Sequence, residues 1–338
     1  MIPEIVAIRQ TPKWQHELAA AITDPQELLA AVGLGAEWLP AARAAARTFP
    51  LRVPRGFIAR MRRGDAQDPL LRQVLPLGEE CQSAAGFVAD PVGDMAAMKL
   101  PGLLHKYRGR VLLTVTGACA IHCRYCFRRH FPYGDANAAA DHGAVAVQYI
   151  AADPSIREVI LSGGDPLSLS DRKLTELVRA LDVIPHLDRL RVHTRLPIVL
   201  PERITDDLVA LLTGIALTPV VVVHANHANE IDAAVRGAVA RLRDAGISVL
   251  NQSVLLRGVN DDVDALAQLS ETLFAAGALP YYLHLLDPVH GAAHFDVEEA
   301  RARALIAQLA ARLPGYLVPR LVRELAGSAS KQVLSPRN

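Results

Sequence analysis

The chain has 338 residues, of which 51% are hydrophobic and 21% are charged, a balance typical of a globular protein with a large core. Its formal net charge of +1 gives no overall attraction to nucleic acid or to an anionic membrane, which argues against both as partners. The N-terminal segment lacks the apolar core of a signal peptide, and no apolar run approaches the ~20 residues that cross a bilayer. We therefore expect a cytoplasmic protein.

Residues 1–100 are predicted to form a mainly helical N-terminal extension. Thr23 or Asp24 is suited to cap a helix that we expect to end at Gly35. The basic run 52–63 is interpreted as the solvated face of a helix rather than as a binding patch. Cys81, which also lies in this extension, is assigned no role.

Strands alternate with helices from about residue 111 onward. The β-branched runs that predict strands cover 111–116, 158–162, 189–194, 219–225, 247–252 and 280–286. The helical stretches between them cover 175–184, 205–214, 230–246 and 262–277. This alternation predicts βαβ units and a parallel sheet. Six units favour an α/β fold of the partial (β/α)6 TIM-like barrel type over residues 101–312, ending in a helix over about 296–312. A C-terminal segment over 313–338, with one strand-like run, follows this core.

Polar residues end or directly follow each of the six predicted strands. The segments in chain order are CAIHCRYC, SGGDP, HTR, HANH, NQS and Asp287. In parallel barrels the loops at the C-terminal ends of the strands converge on the active site. The sequence therefore predicts one site at that end of the barrel.

Three cysteines lie within eight residues in the first of these loops. Cys119, Cys123 and Cys126 provide the thiolates that hold iron in iron–sulfur clusters. Three ligands leave one iron of a 4Fe–4S cluster open to a small molecule, as catalytic metal sites leave one position free. The alternative is structural zinc with His122 or His130 as a fourth ligand, but structural zinc commonly uses two separated ligand pairs.

The cysteine spacing, with Tyr125 before the third cysteine, resembles the radical S-adenosylmethionine superfamily. The SGGDP turn after the second strand strengthens the resemblance. The resemblance implies that Tyr125, Gly163, Gly164 and Asp165 contribute to binding S-adenosylmethionine. It also assigns the three cysteines to the cluster.

A longer resemblance, over roughly 106–331, is to the lysine 2,3-aminomutase family. The segments that carry it are CRYCFRRHFPYG, SGGDPL, HANHANE, NQSVLLRGVND, PYYLHLLDPVHG and a late lysine. The form of the first motif is most similar to the bacterial branch that supplies β-lysine for elongation factor P. The resemblance implies conversion of L-lysine to β-lysine with three cofactors: a 4Fe–4S cluster, S-adenosylmethionine and pyridoxal 5′-phosphate.

The resemblance also assigns the pyridoxal phosphate site. Lys331 matches the lysine that forms a Schiff base with the cofactor, although the glycine-dense run of the family is reduced here to Gly327. The phosphate-binding positions and further cofactor contacts match Arg110, Gln252, Lys106 and Tyr107. Lysine and arginine suit a phosphate dianion.

Three further positions match the family's substrate contacts. Arg128 corresponds to the arginine that anchors the substrate carboxylate. Asp287 and Glu324 correspond to the two acids that hold the distant ammonium, with Glu324 replacing the usual aspartate. Two carboxylates in a desolvated site suit a cationic side chain, because otherwise they would repel each other.

The resemblance implies L-lysine as substrate and places elongation factor P and its β-lysine ligase among the expected partners. A homo-oligomer is compatible with it. The additional cysteines of the zinc site found in some family members have no counterpart here, so zinc is not expected. Two alternatives remain: an aminomutase for another amino acid such as glutamate, and a zinc-stabilised, non-catalytic binding protein.

Overall fold

The N-terminal region is a set of short helices. The structure, a computed structural model, describes residues 12–138 and 143–335. Asp24 caps the second helix by accepting a hydrogen bond from the backbone N–H of Gln26, and Gly33, with φ of 74°, closes it. The helix therefore ends before the predicted Gly35. The helices of this region are α1 (Lys13–Ala19), α2 (Pro25–Val32), α3 (Leu39–Thr48), α4 (Arg55–Ile58), α5 (Pro69–Arg72) and α6 (Asp94–Ala97).

The basic run 52–63 is only partly solvated. Arg55 and Arg62 have exposed side chains, as the sequence predicts. Arg60 does not fit that interpretation, because its guanidinium is buried and donates to the carbonyl oxygens of Ile198 and Glu230. This arginine fastens the N-terminal extension to the barrel.

The described residues form one ten-stranded sheet. Its strands are β1 (Met98–Leu100), β2 (Leu103–Tyr107), β3 (Arg110–Thr114), β4 (Glu158–Ser162), β5 (Arg189–Thr194), β6 (Thr218–Val223), β7 (Ser248–Val254), β8 (Leu279–His284), β9 (Arg320–Arg323) and β10 (Gln332–Val333). Every strand pairs with the next one in the chain. Strands β3 to β9 are parallel, and the strands at the two edges are antiparallel.

This strand order identifies the sheet as a partial barrel. A doubly wound sheet reverses its strand order at a switch point, whereas this sheet does not. Sequential parallel order is the arrangement of a (β/α) barrel, with β1 and β10 as its two edges. The predicted six-stranded core is present, and β9 extends its parallel ladder by one strand.

Helices pack against one face of the sheet. They are α7 (Ala144–Ala152), α8 (Asp171–Asp182), α9 (Leu196–Val199), α10 (Asp206–Thr213), α11 (Ala233–Asp244), α12 (Val263–Ala276) and α13 (Glu299–Arg312). Alternate strand residues such as Val159, Val192 and Val221 join the main core beneath them. The intervening residues, such as Ile160 and His193, face the barrel interior. No helix among the described residues is long and apolar enough to span a membrane.

The C-terminal segment forms a hairpin at the edge of the barrel. Gln332 of β10 pairs with Arg323 of β9, so Glu324 and Lys331 lie at the start and the end of the connecting loop. Gly327 within that loop has φ of 76°, a conformation that glycine adopts without strain. The hairpin places Lys331 at the interior of the barrel.

Candidate active site

A cavity of about 400 Å³ opens inside the barrel. This volume is within the range of small-molecule sites. All of the residues that the sequence assigned to the site line it. They are Lys106, Tyr107, Arg110, Cys119, Cys123, Tyr125, Cys126, Arg128, Gly163, Gly164, Asp165, Gln252, Asp287, Glu324 and Lys331.

The three cysteines lie at one end of this cavity, in the loop that follows β3. A turn brings two of them together, because the Cys126 N–H donates to the carbonyl of Cys123 at 3.0 Å. Burial, reinforced by the neighbouring cysteines, raises the pKa of Cys119 well above that of a free thiol and that of Cys126 to about 11. Such thiols need a bound cation to become thiolates at neutral pH.

The cysteines are not arranged as the ligands of one metal ion. Among the described residues, no group of three or more His, Cys, Asp or Glu side chains is gathered for that purpose. The Nδ1 of His122, one of the two predicted alternative zinc ligands, is 2.9 Å from the carbonyl oxygen of Pro50. In an iron–sulfur cube each thiolate binds a different iron, so the same loop suits a cluster better than a single zinc ion.

The N-terminal extension clamps the cysteine loop. The fully buried Arg124 donates to both carboxylate oxygens of Glu80, at 2.8 and 2.6 Å. Arg129 donates to the same carboxylate at 2.8 Å. Arg124 also bonds to the carbonyl of Phe49 at 2.8 Å. The loop is therefore fixed from the side away from the barrel.

A buried network of polar side chains reaches the cysteine loop from the other side. Arg195, which follows β5, donates to the Cys123 sulfur at 2.7 Å and to the Tyr125 hydroxyl at 2.8 Å. Its other terminal nitrogen donates to Glu230 at 2.9 Å and to Gln73 at 2.6 Å. The HTR segment signalled a polar strand end, but nothing in the sequence indicated this contact with a cysteine.

The glycines after β4 pack against the cysteine loop. A Cβ on Gly163 would lie 2.7 Å from the Thr116 carbonyl oxygen, and one on Gly164 would lie 2.4 Å from that of Ala118. Only glycine allows this approach of two backbones. The carboxylate of Asp165 accepts four hydrogen bonds from protein donors, so its side chain holds the turn.

Five charged groups that line the cavity form a continuous chain. Arg128 donates to Asp94 at 2.6 Å, and Lys106 contacts the other oxygen of Asp94 at 2.5 Å. Lys106 also pairs with Glu324 at 2.9 Å, and Glu324 pairs with Lys331. Asp94 was not predicted, because it precedes the barrel and carries no motif. Its carboxylate binds both Arg128, which was assigned to the substrate, and Lys106, which was assigned to the cofactor.

The two predicted ammonium-binding acids have opposite environments. Burial, opposed by the Lys331 ammonium and reinforced by the Glu324 carboxylate, raises the pKa of Asp287 to about 7. Burial also disfavours the charge of Glu324, but Lys331 and Lys106 lower its pKa to about 2. Among the described residues, the Asp287 carboxylate has no ion-pair or hydrogen-bond partner. The Asp287 carboxylate therefore faces the cavity with no hydrogen-bond donor from the described residues.

The predicted phosphate contacts lie near the start of β3. The Arg110 guanidinium stacks 4.6 Å from the centroid of the Tyr107 ring. Arg110 forms no ion pair with any described residue, whereas the neighbouring Lys106 forms ion pairs with Asp94 and Glu324. Gln252 lies on β7 and also lines the cavity. Arg110 is thus the cation of this group that is open to an anionic ligand.

Comparison with known proteins agrees with this geometry. Residues 113–269 match the model of the radical SAM superfamily. The chain is 51% identical over 322 residues to "L-lysine 2,3-aminomutase" of Escherichia coli strain K12, covering 95% of this chain and 94% of that one. It is 46% identical over 331 residues to "L-lysine 2,3-aminomutase" of Haemophilus influenzae, covering 98% of each chain.

A third relative extends the same pattern. The "L-lysine 2,3-aminomutase" of Buchnera aphidicola is 44% identical over 320 residues, covering 94% of each chain. These matches run across the N-terminal helices, the barrel and most of the C-terminal segment. The chain belongs to the lysine 2,3-aminomutase family of the radical SAM superfamily.

Proposed function

We propose that the protein is an isomerase that moves the α-amino group of L-lysine to the adjacent carbon, giving β-lysine. One observation carries the proposal: a single cavity joins three clustered thiols, a lysine and two acids. The thiols suit an iron–sulfur cluster, the lysine suits a pyridoxal cofactor and the acids suit a cationic side chain. The identity with the three aminomutases supports the same reaction.

The residues of the cavity fit the three cofactors of this family. Cys119, Cys123 and Cys126 would hold the 4Fe–4S cluster, because their buried thiols gain from a cation at that end. The Gly163–Gly164 turn and Tyr125, which line the same cavity, would bind S-adenosylmethionine. Lys331 would hold pyridoxal phosphate, with Arg110, Gln252, Tyr107 and Lys106 toward its phosphate. When bound, these groups supply a carbon radical and a conjugated ring that delocalises an unpaired electron.

The chain's own residues position the substrate. Arg128 would bind the α-carboxylate of lysine, since Asp94 and the Ser162 hydroxyl fix its guanidinium at 2.6 and 3.1 Å. Such fixed positioning of a reactant lowers the entropic part of the barrier. Arg128 is itself buried, so its bond to a carboxylate would form away from water, where it is stronger.

Asp287 and Glu324 would bind the ε-ammonium of the substrate. An ammonium beside Asp287 would lower the pKa of that carboxyl group and supply the hydrogen-bond donor that the carboxylate lacks among the described residues. Glu324 already binds two ammonium groups, those of Lys106 and Lys331. This local chemistry favours a basic substrate over glutamate, whose side-chain carboxylate would meet two acids.

The biological context completes the proposal. The product would serve the β-lysylation of elongation factor P, with its β-lysine ligase as the next enzyme. We place this activity in the cytoplasm. A homo-oligomer is compatible with the fold. The support for this context is the resemblance of the cysteine motif to that branch of the family.

The proposal is tested by anaerobic incubation of the protein, reconstituted with iron, sulfide and pyridoxal phosphate, with S-adenosylmethionine and a reductant. Lysine, glutamate and arginine are supplied separately, and the products are separated by chromatography. We expect β-lysine from lysine and no β-amino acid from glutamate. Product from glutamate alone would overturn the substrate assignment. No product from any amino acid would overturn the activity.

A further inference from the structure

Two histidines inside the barrel have no described hydrogen-bond partner. His193 is on β5 and His284 is on β8, and both line the cavity. The Nε2 atom of each ring is fully enclosed and has no partner among the described residues. His284 is 9% exposed as a whole residue. Buried polar side-chain atoms are nearly always paired in native proteins, so two unpaired imidazoles in one cavity require an explanation.

Neither imidazole belongs to the charge chain or to the cysteine network. His224, which also lines the cavity, illustrates the difference, because its Nε2 lies 3.3 Å from the Tyr125 hydroxyl. Strand pairing places His193 beside Val222 and His284 beside Val254 and Val322. These aliphatic neighbours offer no hydrogen bond to either ring.

Both imidazoles lie within the electrostatic reach of Lys331. The charged or titratable groups near His193 are Arg191, Lys331, Arg128 and His284. Those near His284 are Lys331, Glu324 and His224. Burial, reinforced by these cations, lowers the pKa of both imidazoles well below the usual range. Each ring is therefore neutral at pH 7 and offers one N–H donor and one nitrogen acceptor.

We propose that His193 and His284 are the hydrogen-bonding contacts of the pyridoxal ring that Lys331 holds. The inference rests on the proposed function. A cofactor bonded to Lys331 would lie in the cavity that the two imidazoles line. The pyridoxal ring carries a phenolic oxygen and a ring nitrogen that need partners of this kind, and such bonds tune the electronic state of the ring. The phosphate, by contrast, would be held by Arg110.

A pyridoxal ring in the cavity would give each imidazole the hydrogen-bond partner that the described residues do not provide. A ligand site keeps polar groups ready at a cost in stability, which the ligand removes when it binds. Replacement of either imidazole by a ring of similar size without nitrogen should therefore leave the apoprotein as stable as before, or more stable. The same replacement should weaken the binding of the cofactor.

The test compares His193→Phe and His284→Phe with His193→Asn and His284→Gln. The amides retain a donor and an acceptor near the original ring nitrogens. His186→Phe is the matched control, because His186 bonds to the Ile150 carbonyl outside the cavity. For each protein we would measure the melting temperature without cofactor, the dissociation constant of pyridoxal phosphate, and the visible absorbance band of the lysine-bound cofactor.

We expect the phenylalanine variants to bind pyridoxal phosphate about tenfold more weakly, the effect of one lost buried hydrogen bond. Their absorbance band should shift, and their apoprotein melting temperature should not fall. The amide variants should recover most of the affinity. The His186→Phe control should bind the cofactor as the unmodified protein does.

Three results would overturn the inference. One is unchanged affinity and absorbance in both phenylalanine variants. Another is a lower apoprotein melting temperature with unchanged affinity, which would assign the imidazoles to packing. The third is unchanged cofactor binding with a raised KM for lysine, which would assign them to the substrate. Failure of the unmodified protein to bind pyridoxal phosphate would instead overturn the proposed function.

Discussion

The Lys331 ammonium forms an ion pair with the Glu324 carboxylate, across the loop of the β9–β10 hairpin. One of these residues was predicted to hold the cofactor and the other to hold the substrate ammonium. Each therefore neutralises the other. The carboxylate already binds an alkyl ammonium, which is the chemical group that we propose it binds in the substrate.

Glu324→Asp should retain activity, whereas Glu324→Gln should not. Aspartate keeps the charge and is the residue that the family resemblance leads us to expect at this position. Glutamine removes the charge and leaves Lys106 and Lys331 without their shared partner. We expect a loss of about 2 kcal/mol or more in kcat/KM, about 30-fold, for Glu324→Gln. Steady-state kinetics with lysine measures both variants, and equal activities would refute the role of the charge.

Lysine binding should weaken in acid, with a midpoint near the pKa of Asp287. That pKa is raised to about 7, so the carboxylate of the free enzyme loses its charge as the pH falls through this value. The substrate ammonium has a pKa near 10.4 and stays charged. We expect kcat/KM for lysine to fall about tenfold per pH unit below the midpoint.

Asp287→Asn is the control for that pH dependence. It should lower kcat/KM at pH 8 and remove the fall between pH 8 and pH 6. A pH profile of the variant that still matches that of the unmodified protein would show that another group titrates.

Loss of one cluster thiol should remove the iron. Cys123→Ala is expected to abolish iron binding, the visible absorbance of the cluster and the cleavage of S-adenosylmethionine together. Cys81→Ala is the matched control, because Cys81 is a free, exposed thiol outside the cavity. Chemical analysis of iron and sulfide measures both. A Cys123→Ala protein with full iron content would contradict the ligand assignment.

Glu80→Gln should destabilise the folded protein. Glu80 is the buried partner of both Arg124 and Arg129, and its loss leaves two buried cations without a carboxylate. Breaking such a pair costs about 3 kcal/mol or more. The exposed pair of Glu27 with Arg55 gives a control, for which Glu27→Gln should change stability by about 0.5 kcal/mol or less. Denaturant unfolding measures the stability of both variants. Similar losses of stability in the two would contradict the role of Glu80 in holding Arg124 and Arg129.

The barrel could be predicted from the sequence because its strands have a clear sequence pattern. The predicted strands at 158–162 and 189–194 match β4 and β5 residue for residue. Buried parallel strands are continuous β-branched runs, and amphipathic helices separate them. The antiparallel strands β1 and β10 were missed because they span only three and two residues, and β2 was missed because its sequence LLHKY has no β-branched residue. The domain boundaries at 100 and 312 stay predictions.

The site was predicted less completely than the fold. Every residue that the resemblance assigned to a ligand lines one cavity. Asp94, Glu80 and Gln73 were missed, since each lies in the N-terminal extension and meets the site only through tertiary contacts. Arg124 appeared only as part of a motif, and its burial against Glu80 follows from the fold of the whole chain.

The most direct test of the central claim follows the migrating nitrogen. L-Lysine labelled with 15N at the α-amino group is incubated anaerobically with the reconstituted protein, S-adenosylmethionine and a reductant, and the product is examined by NMR. We predict β-lysine with the label bonded to C3. Label that stays on C2, or that leaves as ammonia, would contradict the account.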